Sequence, residues 1–99
     1  RQIKERGLKM ISKNVTVTNP VGLHARPATF FIKKANEYRS SVWIENDSRR
    51  VNAKSLLGIL SLGIVSGTEI TIVADGPDED DAVAGLEALL KELNETDRG

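Results

Sequence analysis

Between Thr18 and Ala28 the chain changes its period, and that change constrains the fold more than any other feature. Upstream, Ile11 to Thr18 alternates: Val15 and Val17 lie on one side, Asn14, Thr16 and Thr18 on the other. Such alternation predicts a half-buried strand. Pro20 cannot continue a hydrogen-bonded ladder, and Gly22 permits a backbone turn. Downstream, Ala28, Phe31, Ile32 and Ala35 fall on one helical stripe, with Lys33, Lys34, Asn36 and Glu37 filling much of the opposite face. Pro27 falls in the first turn, where its missing N–H has no intrahelical partner to lose. A strand therefore hands over to a helix that is predicted to start at Ala25 and to end near Glu37 or Tyr38.

The handover carries the chain's most reactive combination. Gly22-Leu23-His24-Ala25-Arg26-Pro27-Ala28 holds the only histidine in 99 residues, with an arginine two places later. A lone histidine in a small domain is usually a surface or packing residue. Here it stands where unpaired backbone N–H groups and the positive end of a helix dipole converge. Imidazole is appreciably unprotonated near neutral pH and is a competent nucleophile. His24 as nucleophile, Arg26 as counter-charge, and Ala25 and Pro27 as the helix start suit a group that accepts and surrenders a phosphoryl.

The rest of the chain divides at turn residues. Ser41 to Glu45 reads as a strand with Val42 and Ile44 alternating against Trp43. Asn46-Asp47-Ser48 reads as a turn, although without the glycine that favours a tight two-residue hairpin. Arg49 to Asn52 reads as a short strand, and Ala53 to Leu62 as a short helix with Ser55 as a good N-cap near its start. That helix carries more leucine and isoleucine than one buried stripe needs, so part of it is expected at a contact surface. Thr68 to Ala74 reads as a fourth strand. Asp75-Gly76-Pro77 opens a last helix whose apolar stripe is Ala82, Leu86, Leu89, Leu90 and Leu93 and whose acidic start suits the dipole. Fraying is expected from Asn94. The order is β-α-β-β-α-β-α, best packed as a four-stranded, mainly antiparallel sheet with helices on one face.

Composition narrows the function. At 99 residues and 39% apolar content, one domain with one modest core is expected. No apolar run approaches the roughly 20 residues of a membrane span, so no membrane insertion is expected. The chain has no cysteine, which excludes thiolate metal sites and redox chemistry and makes a reducing cytosol the natural compartment. No metal or cofactor is expected. Residues 1–13 carry a net charge of +4 and the remaining 86 carry −4. A domain of that sign is a poor partner for nucleic acid. Residues 1–9 are expected to be a disordered tail or sequence upstream of a true start at Met10, residues 10–94 the folded domain, and residues 95–99 a frayed end.

The heptapeptide resembles the active-site signature of the HPr family, the histidine-containing phosphocarriers of the bacterial phosphoenolpyruvate:sugar phosphotransferase system. Lys54-Ser55-Leu56-Leu57-Gly58-Ile59-Leu60-Ser61-Leu62-Gly63 is similar to that family's second signature, around a regulatory serine, and the spacing between the two also matches. The resemblance runs from about Met10 to the end of the last helix. It implies an open-faced β-sandwich of α+β class and a stoichiometric carrier rather than an enzyme. His24 would be phosphorylated at Nδ1 by the phosphoenolpyruvate-dependent first enzyme, with Arg26 as the active-site arginine. The partners implied are that enzyme, the A domains of sugar-specific second components, a serine kinase/phosphorylase acting on Ser55, and a catabolite regulator. Leu56, Leu57 and Leu60 match the family's partner-facing patch, although each is equally readable as core. A monomer is expected.

Two other readings compete with sugar transport. A paralogous carrier could serve a regulatory phosphorelay, for nitrogen or carbon control. A fold of this kind could also be a protein-binding module that is never phosphorylated. The chain carries no glycine-rich nucleotide loop and no carboxylate cluster clearly arranged for magnesium, which fits a carrier better than a kinase.

Overall fold

The computed structural model describes residues 10–18, 22, 23 and 25–96. The elements run β1 (Met10–Val17), α1 (Ala25–Ala35), β2 (Ser41–Asn46), β3 (Arg49–Asn52), α2 (Leu56–Ser61), β4 (Thr68–Asp75) and α3 (Glu79–Thr96). The strands form one antiparallel sheet in the order β1-β4-β2-β3. The expected α+β arrangement, a four-stranded antiparallel sheet covered by helices, is what the chain adopts.

Alternation places the core. Val15 and Val17 of β1, Val42 and Ile44 of β2, and Ile70, Ile72 and Ala74 of β4 are buried. They meet Ala28, Phe31 and Ala35 of α1, Ile59 of α2, and Ala82, Leu86 and Leu90 of α3 in one cluster. Lys13 is paired in register with Ile72 and so faces the helices, but at the sheet's edge its ammonium reaches Glu87 of α3, 3.9 Å away. The other face is polar. Asn14, Thr71, Glu45 and Arg50 form one row across all four strands. Within it Thr71 Oγ1 donates to Asn14 Oδ1, Arg50 pairs with Glu45 at 2.6 Å, and the Arg50 guanidinium lies 5.1 Å from the Trp43 ring.

Several expected boundaries shift, each for a local reason. Helix α1 ends at Ala35, two or three residues early, because Glu37 and Tyr38 N–H groups bond three residues back, to Lys34 and Ala35, tightening the last turn. Helix α2 starts at Leu56 rather than Ala53. Ala53 N–H donates to Val42 C=O and Lys54 N–H to Asn52 Oδ1, so these residues form a turn fastened to β2 and β3. Helix α3 starts at Glu79, after Pro77: the Asp78 carbonyl accepts the Ala82 N–H, while its carboxylate reaches across to Arg39 and Ser40. At its other end α3 continues through Asn94 to Thr96, beyond the expected onset of fraying. The β2–β3 hairpin does close in two residues without glycine: Asn46 pairs with Arg49, and Asp47 takes φ 58°, a conformation aspartate tolerates.

Candidate functional site at the start of helix α1

The approach to α1 is built from the core outward. Leu23 is buried, and its N–H donates to Ile64 C=O at 3.0 Å. Gly22 has φ +68°, and a Cβ there would strike Ile64 O and come within 2.8 Å of Val65 Cα. Only glycine fits. The segment before α1 is thereby pressed onto the loop between α2 and β4.

Helix α1 then presents an unopposed positive end. The first-turn N–H groups of Ala25 and Arg26 have no intrahelical carbonyl to reach, Pro27 is buried and sets the turn, and no acidic residue lies in that turn. Ala25 and Arg26 are exposed. Among the described residues the Arg26 guanidinium has neither a salt-bridge nor a hydrogen-bond partner. Thr29 Oγ1 donates to Ala25 C=O at 2.8 Å, closing the turn from its outer side. His24, the expected nucleophile, lies outside the described residues.

Ser55 caps α2 as its spacing predicts. Its backbone is extended (φ −115°, ψ 119°) and its Oγ accepts the Gly58 N–H at 3.1 Å. Leu56 and Leu57 are exposed, at 40% and 80%, while Ile59 is fully buried. Leu60 is half-buried and packs against the core. Helices α1 and α2 touch, and Phe30 of α1, which falls off the Ala28–Phe31–Ala35 stripe, adds a ring that is 44% exposed. Arg49 of β3 holds the far end of α2, donating to Ser61 C=O at 2.7 Å and to Ser61 Oγ at 3.1 Å. That tie left no mark in the sequence.

The model of the family "PTS HPr component phosphorylation site" matches residues 11–92. The chain belongs to the HPr family. Among relatives, it is 43% identical over 83 residues to the HPr-like protein Crh of Bacillus subtilis, covering 84% of this chain and 98% of Crh. The phosphocarrier protein HPr of Bacillus anthracis superposes with a TM-score of 0.78 at 44% identity, covering 81% of this chain and 95% of that one. HPr-C-His of Thermoanaerobacter tengcongensis superposes with a TM-score of 0.82 at 38% identity, covering 85% and 94%. The HPr-family fold thus spans the whole sheet and all three helices. Among the described residues no helix is long and apolar enough to cross a membrane.

Proposed function

We propose that this HPr-family chain, acting as a monomer, takes a phosphoryl group on His24 from the phosphoenolpyruvate-dependent first enzyme. It passes the group to the A domains of sugar-specific second components. The observation that carries this reading is positional: the single histidine immediately precedes an α1 first turn that holds an exposed guanidinium with no partner among the described residues. In the forward step an imidazole nitrogen bonds to phosphorus as the bond to the donor breaks. In the return step the N–P bond breaks as the acceptor's forms. The first-turn N–H groups and Arg26 stabilise charge on the transferred group, and because they hold it with few contacts they do not trap the product. Ser55 is the site of regulatory phosphorylation. A phosphoserine adds roughly −1.5 to −2 charge at a helix start that tolerates it, so it changes the surface offered by Leu56 and Leu57 rather than the fold.

The identity to Crh supports a second reading, in which the same chemistry feeds a regulatory circuit. One experiment orders the readings. The chain and its His24→Ala variant are incubated with phosphoenolpyruvate and purified first enzyme, then weighed intact at neutral pH. A gain of one phosphoryl group, lost in mild acid and absent from the variant, supports the carrier. Transfer rates to sugar-specific and regulatory acceptors then choose the circuit. No gain across a broad set of donor enzymes would leave a protein-binding module.

A further inference from the structure

The carrier reading uses the start of α1, yet the strand that leads to it is held by a residue from the far end of the chain. Among the described residues strand β1 pairs only with β4, so alternate backbone groups of β1 face outward along an open edge. Asn94, near the end of α3, closes part of that edge. Its Oδ1 accepts the Thr18 N–H at 2.9 Å and its Nδ2 donates to Thr16 C=O at 3.1 Å. One side-chain amide therefore supplies the acceptor and the donor that a neighbouring strand would supply.

The same stretch is gripped from its other side. Gly67 N–H donates to Val17 C=O at 2.6 Å, and Ser66 Oγ donates to Thr18 C=O at 3.2 Å. Just before α1, Leu23 N–H bonds to Ile64 C=O and Gly22 abuts Ile64 and Val65. Both flanks of residues 19–21 are thus tied to one strap, residues 64–67. Asn94 adds an anchor from α3, outside both that strap and β4, at the point where β1 ends.

We propose that Asn94 is a positioning residue for phosphoryl transfer at His24: its two-point grip on Thr16 and Thr18 sets where β1 releases the chain toward α1. The inference rests on the carrier reading. The role assigned to Asn94 is carried by its bonds to Thr16 and Thr18. It acts through the backbone, and the requirement for an amide follows from the pair of bonds. A carboxylate at this place keeps the acceptor for Thr18 but sets a negative oxygen against the Thr16 carbonyl. Displacing a reacting group by about 1 Å can cost on the order of a hundredfold in rate, so a modest shift of this anchor has a measurable effect.

The test uses the full chain and four proteins: wild type, Asn94→Ala, Asn94→Asp, and Val83→Ala. The last loses core packing on the same helix and leaves the grip intact. Two quantities are read, kcat/KM for phosphorylation by the first enzyme and the pH titration of the His24 imidazole by NMR. Asn94→Ala is expected to lose about tenfold in kcat/KM and to shift the titration, with Asn94→Asp changed in the same quantities. Val83→Ala should lower Tm and move neither. An Asn94→Ala protein with wild-type kcat/KM and an unmoved titration overturns the proposal, and so does an equal change in Val83→Ala. If Asn94→Ala does not fold, Asn94→Asp decides by the same criteria. If the wild type accepts no phosphoryl group, the carrier reading fails. The positioning role, which rests on that reading, falls with it; with a wild type that is phosphorylated, the Asn94 variants decide the positioning role on its own.

Discussion

Ser40 and Asp78 bond to each other twice: the Ser40 hydroxyl donates to Asp78 Oδ1 at 2.6 Å and accepts the Asp78 N–H at 3.2 Å. The backbone N–H groups of Ser40 and Arg39 also donate to the carboxylate, each at 2.9 Å. The turn after α1 is thereby fastened to the turn before α3. The Ser40 hydroxyl first, and the Arg39 N–H after it, hold the Asp78 carboxyl below its ordinary value of 3.8. A carboxylate with a lowered native pKa stabilises the fold fully above its unfolded value, and that contribution is lost as pH falls through the native one. Asp78→Asn should therefore melt below wild type at pH 7, with the difference shrinking as pH drops below 3.8. Calorimetric melting of both proteins between neutral and strongly acid pH checks this.

Gly22 should not tolerate a side chain. Alanine at φ +68° costs about 1–3 kcal/mol for the backbone conformation alone, and its Cβ also meets the Ile64 carbonyl. Urea denaturation of Gly22→Ala is expected to show at least that loss, with the Leu23–Ile64 bond exchanging its amide proton faster.

At Ser55, capping and regulation separate by substitution. Ser55→Ala removes the acceptor for Gly58 N–H and should cost about 1 kcal/mol. Ser55→Asp restores an N-cap oxygen with a favourable charge and should stay within about 0.5 kcal/mol of wild type. Urea midpoints test the cap. Incubation with a matching serine kinase tests the regulation, and equal phosphorylation of Ser55→Ala and wild type would refute it.

Two neighbours on α2 should behave in opposite ways. Leu57 is 80% exposed, so Leu57→Glu should change stability by no more than about 0.5 kcal/mol while slowing transfer to partners. Ile59 is fully buried, and Ile59→Ala should cost about 2–5 kcal/mol. Thermal melts paired with transfer rates distinguish a docking surface from core.

Much of this architecture is legible in the sequence because it is periodic. The Val15–Val17 alternation buries the side it predicts, and so do the Ala28–Phe31–Ile32–Ala35 and Ala82–Leu86–Leu89–Leu90–Leu93 stripes except at Ile32 and Leu89, which are half-buried. Ser55 declares itself as a cap because a serine oxygen bonds an amide only three residues away. The Arg26 guanidinium stands exposed in the first turn of α1, and His24, its expected partner in chemistry, lies outside the described residues. Contacts between distant segments leave no such periodicity. Nothing local marks Arg49 as the tie for Ser61, or Asn94 as the partner of Thr16 and Thr18. Within α2 the motif does not distinguish Leu60, half-buried against the core, from the exposed Leu57, because both are leucines on a helix with more apolar residues than one stripe needs.

The strand order also dictates a schedule for biosynthesis. Strand β4 lies between β1 and β2, so neither β1 nor the β2–β3 hairpin has its central neighbour until residues 68–75 leave the ribosome. Until then Val15, Val17, Val42 and Ile44 lack the central strand of their sheet, and the pairing of β1 with β4 cannot begin. Long-range pairing of this kind slows folding and leaves nascent strands open to wrong partners. The nascent chain is therefore exposed to aggregation just before β4 emerges, when the apolar faces of β1 and β2 have been made and the strand that unites them has not.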